Sequence, residues 1–210
     1  MPKFYFFSFW SLILLSACSS HLKLGTEAYI KWVENEKNGL KVSKVVGPLK
    51  YVIQYEPIPY LVLIQNRDKL INDSFLNHEI SNLEGMYYFK LRIETLDKNK
   101  DPMTLQISSV DDYHNRNLIF SDEFAENVRL VENGDTLHCE MFNLVNNYGL
   151  APYMDLVLGF TKKKLVTSEA NNNGDVPEIK VLVNDDVFNA GLLRFSFQKN
   201  TISKIPELSL

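Results

Sequence analysis

Several stretches of this chain alternate apolar and polar residues with a period of two, and that pattern commits them to sheet. Successive side chains on a strand point to opposite faces, so a period of two makes one apolar face and one wet one. The clearest case is 86–96, where Tyr87, Phe89, Leu91 and Ile93 alternate with Lys90, Arg92 and Glu94. Tyr51, Ile53 and Tyr55 alternate with Lys50, Gln54 and Glu56. Ile179, Val181 and Val183 form another apolar face, and Leu193, Phe195 and Phe197 alternate with Arg194, Ser196 and Gln198. Segments 136–145 and 153–161 are apolar on both faces, which predicts central strands. Gly47-Pro48, Asn133-Gly134-Asp135, Asn146-Asn147 and Asn189-Ala190-Gly191 supply the turns between them.

Helical spacing is scarcer. Leu70, Phe75, Leu76, Ile80 and Leu83 predict a helix within 66–84, stopped by Gly85. A second short helix is predicted from Ser121, with Glu123 and Glu126 early in it. Many strands and one or two short helices predict a mainly β, single-domain, β-sandwich-like fold over residues 29–210. A helix packed on one open sheet is the competing architecture.

The first seventeen residues have a different purpose. One lysine, Lys3, precedes an aromatic-rich apolar run from Phe4 to Leu15. The run is too short to span a bilayer as a helix, which needs roughly 20 apolar residues. It reads as a secretory signal peptide, residues 1–17. Leu15-Ser16-Ala17-Cys18 has the form of a lipobox, with small residues before a thiol that accepts lipid. Cys18 is therefore the expected lipidation site and the first residue of the processed chain, followed by a tether to residue 28. Ser19 is not the aspartate associated with inner-membrane retention, so the expected address is the outer membrane. Removing the leader removes Lys3 and takes the formal charge from −4 to −5. That mild acidity argues against nucleic acid and against a polybasic membrane surface. With Cys18 lipidated, Cys139 has no second thiol to pair with, and the fold must stand on its hydrophobic core.

No motif assembles a catalytic or metal site. Asp97-Lys-Asn99-Lys-Asp101 begins like an EF-hand loop, but Pro102 stands where glycine is required and Ser108 where glutamate is. It reads as a turn. His138-Cys139-Glu140 offers a thiol beside a base, but strand neighbours face opposite ways, and Cys139 shares its face with Leu137 and Met141. A buried, unreactive thiol is expected. Asp111-Asp112 and Asp185-Asp186 are acidic pairs without glycosidase geometry, and Asp185-Asp186 is expected in a turn. Walker, dinucleotide and Gly-x-Ser-x-Gly patterns are absent. No cofactor and no metal are expected.

The segment Asp135-Thr-Leu-His-Cys-Glu-Met-Phe-Asn-Leu-Val-Asn-Asn-Tyr-Gly-Leu-Ala-Pro-Tyr-Met154 is similar to a stretch in outer-membrane lipoproteins of Bacteroidota-type bacteria that have no assigned activity. Tyr29–Leu40, Phe195-Ser-Phe197 and Ile205-Pro206 fit the same resemblance. It implies an outer-membrane lipoprotein and carries over no catalytic residue.

These readings converge on a lipid-anchored envelope protein, held to the membrane by its N-terminal lipid and facing the periplasm or the exterior. The expected role is non-enzymatic binding or assembly, with another envelope protein as the expected partner. Tyr148 and Tyr153, in the loop between two apolar segments, read first as a cap folded back on the core; if the domain binds a protein they are the contacts to expect, because tyrosine offers large area at small entropic cost. The alternative is an envelope hydrolase of glycan or peptide whose acids meet only in the fold. A pocket holding two or more of Asp111, Asp112, His114, His138 and Glu140 would mark it.

Overall fold

A computed structural model of the chain describes residues 22–145, 151–163 and 178–210. The protein is mainly β. Its largest sheet has five antiparallel strands in the order β2 (Lys41–Val46), β3 (Leu49–Tyr55), β4 (Met86–Thr95), β8 (Tyr153–Thr161) and β7 (Met141–Val145). A four-stranded antiparallel sheet has the order β10 (Gly191–Gln198), β9 (Glu178–Asp185), β5 (Val128–Glu132) and β6 (Asp135–His138). A short parallel pair joins β1 (Lys23–Gly25) to β11 (Glu207–Ser209), near the two ends of the described chain.

The alternating residues land as their period requires. Leu49, Tyr51 and Ile53, then Phe89, Leu91 and Ile93, then Leu156, Leu158 and Phe160 are buried from the large sheet. Val128, Leu130, Ile179, Val181, Val183, Phe195 and Phe197 are buried from the other sheet and belong to the same apolar cluster. Each buried side chain of this size contributes about 1.5–3 kcal/mol by leaving water, so this shared core dominates stability. Two polar contacts also tie the sheets. The Tyr51 hydroxyl donates to Asp185 Oδ2 at 2.6 Å, and the Tyr87 hydroxyl donates to Glu132 Oε1 at 2.8 Å.

Segment 153–161 is a central strand, paired on one side with β4 and on the other with β7. Segment 136–145 is not. It divides into β6 and β7, which are edge strands of different sheets. Its hydrophobicity on both faces is two alternations out of phase. Leu137 is buried in one sheet; past the crossover at Cys139-Glu140, Phe142 and Leu144 pack on the core from the other. Gly159 permits the crossover. A Cβ there would lie 2.8 Å from Met141 Cβ, its cross-strand partner.

Five helices occur among the described residues, more than the one or two expected: α1 (Thr26–Glu34), α2 (Ile58–Gln65), α3 (Asp73–Leu83), α4 (Val110–Leu118) and the single turn α5 (Lys199–Ile202). The helix expected within 66–84 is α3. It begins at an Asn72 cap, so Leu70 lies outside it, and Gly85 follows its end at φ 91°. The helix expected from Ser121 instead starts at α4, where the Ser109 side chain accepts from Asp112 N; Ser121 falls in a π-helical turn, Ile119–Glu123, that follows it. Of the expected tether, Lys23–Gly25 is strand β1 and Thr26 opens α1. Tyr29 and Val33, four apart on one face of α1, are buried, and that burial pins the N-terminal segment to the fold. Helix α2 escapes a periodicity search because Tyr60, Leu61, Val62 and Leu63 are all buried and no face is polar. Together α1, the turn Glu36–Asn38 and α2 place Glu34, Glu36 and Tyr60 beside the outward face of the five-stranded sheet.

Candidate functional site

The outward face of the five-stranded sheet is a polar groove of about 430 Å³. Its floor follows from strand register. Lys41 on β2 lies opposite Gln54 on β3, and Gln54 lies opposite Lys90 on β4. Val52 faces Arg92 in the next row, and Lys50 faces Glu94 in the third. Glu34, Glu36 and Tyr60 make a wall above the first row.

Most charges in the groove are neutralised within it. Arg92 grips Asp155 through Nε and one terminal nitrogen, both at 2.7 Å, and its guanidinium stacks 3.6 Å from the centre of the Tyr153 ring. Lys50 and Lys98 both reach Glu94, at 3.3 and 3.4 Å. Partial burial alone would raise the Glu94 carboxyl, but these two ammonium groups outweigh it and hold it below its ordinary value. Lys90 Nζ stands 3.1 Å from Glu56 Oε1. Glu56 is 2% exposed, and burial raises its carboxyl against the opposing pull of Lys90. The pair meets at ion-pair distance without hydrogen-bond alignment.

Three features remain uncompensated. The Gln54 side chain is 4% exposed, and its Nε2 makes no hydrogen bond. Glu34 receives only a neutral donor, the Tyr60 hydroxyl at 3.0 Å, and Glu36 has no ion-pair partner among the described residues. Lys41 Nζ donates only to the Glu34 carbonyl, at 3.1 Å. The Tyr60 hydroxyl is pushed far up, first by burial and then by the Glu34 and Glu56 carboxylates. It stays protonated and holds Glu34 in place. The Gln54 amide acts weakly the other way on Tyr60, at a geometry too poor for a hydrogen bond.

None of the residues expected to mark a hydrolase lines this groove. Asp111, Asp112 and His114 are exposed on α4, and Asp112 is committed to its N-terminus, where its carboxylate accepts from the Ser108 hydroxyl and N–H. His138 is exposed on β6, and Glu140 accepts from the Thr161 hydroxyl at 2.7 Å. Cys139 is half-buried at the crossover, and its thiol donates to the Met141 carbonyl at 3.2 Å. Burial pushes that thiol up to about 11. In the 97–101 turn, Asp97 accepts from Asn99 N and Asp101 caps Met103 N. The Asp185-Asp186 pair splits: Asp186 is exposed, whereas Asp185 is the last residue of β9 and fully buried beneath Tyr51. Among the described residues, no group of three or more His, Cys, Asp or Glu side chains is arranged to hold a metal, and no helix is long and apolar enough to cross a membrane.

Cys18 and Tyr148 lie outside the described residues, as does the polar stretch 168–175. Tyr153 is half-buried at the start of β8, beneath the Arg92 guanidinium and beside the groove rather than in it. Sequence reasoning named Lys50, Gln54, Glu56, Lys90, Arg92 and Glu94 only as the wet side of strands. It missed Lys41, Glu34, Glu36 and Tyr60 altogether. The available signal was a glutamine amid charged residues on a strand, followed by Glu56-Pro57.

No family model matches the chain, and no curated protein or solved structure matches it either.

Proposed function

We propose that this chain is a lipid-anchored, non-enzymatic binding module of the bacterial outer membrane, and that its ligand site is the groove on the five-stranded sheet. The two antiparallel sheets packed on one core are read as a sandwich whose outward face is free for recognition. The observation that carries the reading is the buried, unpartnered Gln54 Nε2 in a groove whose neighbouring charges are locked in ion pairs. A buried donor left unmade costs about 1–3 kcal/mol, a cost offset when a ligand supplies the acceptor. Charges held in fixed pairs position a ligand; they are poorly placed to transfer protons.

The anchor reading rests on Leu15-Ser-Ala-Cys18 after the apolar leader. Five residue steps separate Cys18 from Lys23, where β1 begins, so the connection spans at most about 17–18 Å. An anchored domain of this kind sits against the membrane, not at the end of a long stalk. Labelling cells with a fatty-acid analogue tests the anchor. The wild-type chain takes label and Cys18→Ala does not; equal label on both refutes it.

A further inference from the structure

We infer that the groove takes a small zwitterion, an amino acid or short peptide, whose ammonium sits against Glu34 and Glu36 and whose carboxylate is read by Lys41 and the Gln54 amide. The inference rests on the reading of the groove as a binding site. It follows from cancelling the charges that the groove already pairs. Among the lining residues, Arg92 is matched by Asp155, Lys90 by Glu56 and Lys50 by Glu94; Lys98, which also reaches Glu94, is exposed outside the lining. What remains is two carboxylates on one wall without an ion-pair partner, and on the floor one ammonium bonded only to a backbone carbonyl. Lys41 and Gln54 are cross-strand neighbours that both line the groove, so an ammonium and a carboxamide with an unpaired, buried N–H stand side by side in one row. One carboxylate can accept from both, as two parallel charge-assisted bonds. Tyr60 fixes the opposite pole by donating to Glu34. A purely anionic ligand would face Glu34 and Glu36, and a purely cationic one would face Lys41. A molecule with both charges satisfies both ends, and about 430 Å³ lies within the range of small-molecule sites.

The experiment is calorimetric titration of the full chain, solubilised from membranes in detergent, with four probes: L-alanine, L-alanyl-L-alanine, its N-acetyl derivative and its C-terminal amide. The expected result is binding of alanine or dialanine at millimolar concentration or below. Blocking either end should weaken binding at least about tenfold, the loss of one charge-assisted contact. Dialanine binding with weak alanine binding identifies a peptide, and the reverse identifies a free amino acid. Glu36→Gln, at an exposed position, should erase much of the discrimination against the acetylated probe. Gln54→Leu should erase much of the discrimination against the amide. If both blocked probes bind as well as dialanine and Gln54→Leu still weakens them, the zwitterion is wrong and the groove stands. If binding is indifferent to Glu36→Gln and Gln54→Leu alike, the groove reading falls too. No binding of any probe at millimolar concentration overturns the inference.

Discussion

Removing the Tyr51 hydroxyl should weaken the joint between the sheets more than its size suggests. Tyr51 and Asp185 are both fully buried, and the hydroxyl donates to Asp185 Oδ2 at 2.6 Å while Oδ1 accepts from Phe188 N at 3.0 Å. Tyr51→Phe leaves the ring in place and strips one carboxylate oxygen of its donor. A buried hydrogen bond to a charged acceptor is worth about 1.5–3 kcal/mol. For a chain of this length that lowers Tm by roughly 3–12 °C. Asp185→Ala orphans two donors, the hydroxyl and the Phe188 N–H, each costing about 1–3 kcal/mol, so the total is about 2–6 kcal/mol. Asp185→Asn keeps an acceptor for Phe188 and offers an N–H to the tyrosine oxygen, so it should fall between wild type and Asp185→Ala. The double variant Tyr51→Phe/Asp185→Ala should cost less than the sum of its parts by about 0.5–3 kcal/mol, because the two groups share one contact. Urea unfolding of the four variants measures this. A Tyr51→Phe cost below about 0.5 kcal/mol, or strict additivity in the double variant, refutes the reasoning.

Other consequences are as direct. Gly159→Ala should destabilise by about 1–3 kcal/mol, because its Cβ would press on Met141 and force β7 outward; thermal melts check this, and an unchanged midpoint contradicts it. Burial raises the hydroxyls of Tyr29, Tyr51, Tyr60 and Tyr87 far up and Tyr55 to about 12. The unfolded chain releases those protons near pH 10 while the folded chain keeps them, so stability is complete below about pH 10 and falls as pH rises past it. Urea midpoints that stay level through pH 11 would contradict this. Cys139, with its thiol at about 11 against about 8.5 for a free cysteine, should react with a thiol reagent at neutral pH on the order of 100-fold more slowly than an exposed cysteine. Rapid labelling of the native chain would show otherwise.

The limits of sequence reading lie at identifiable residues. The alternation of 86–96 is readable because β4 is central and has one phase throughout. Segment 136–145 misleads because a phase change at Cys139-Glu140 mimics a strand buried on both faces. Helix α4 has a legible start, Ser109 three residues before Asp112, but the adjacent acids draw attention as a pair and hide the cap. Asp185 sits before a turn as its sequence suggests, yet its burial depends on Tyr51, far away in the chain. The groove was illegible for the same reason. Lys41, Gln54 and Lys90 form a row only through the register of three strands, and register is a property of the assembled sheet.

The central claim is that Gln54 is kept for a ligand at a cost to the fold. Its most direct test is the thermal midpoint of Gln54→Leu against wild type, with no ligand added. Leucine has a similar volume and no N–H to leave unpaired, so the account predicts a higher Tm, by several degrees at about 2–4 °C per kcal/mol recovered. A lower Tm would mean that the Gln54 amide stabilises the empty fold, and would contradict the claim that it waits for a ligand.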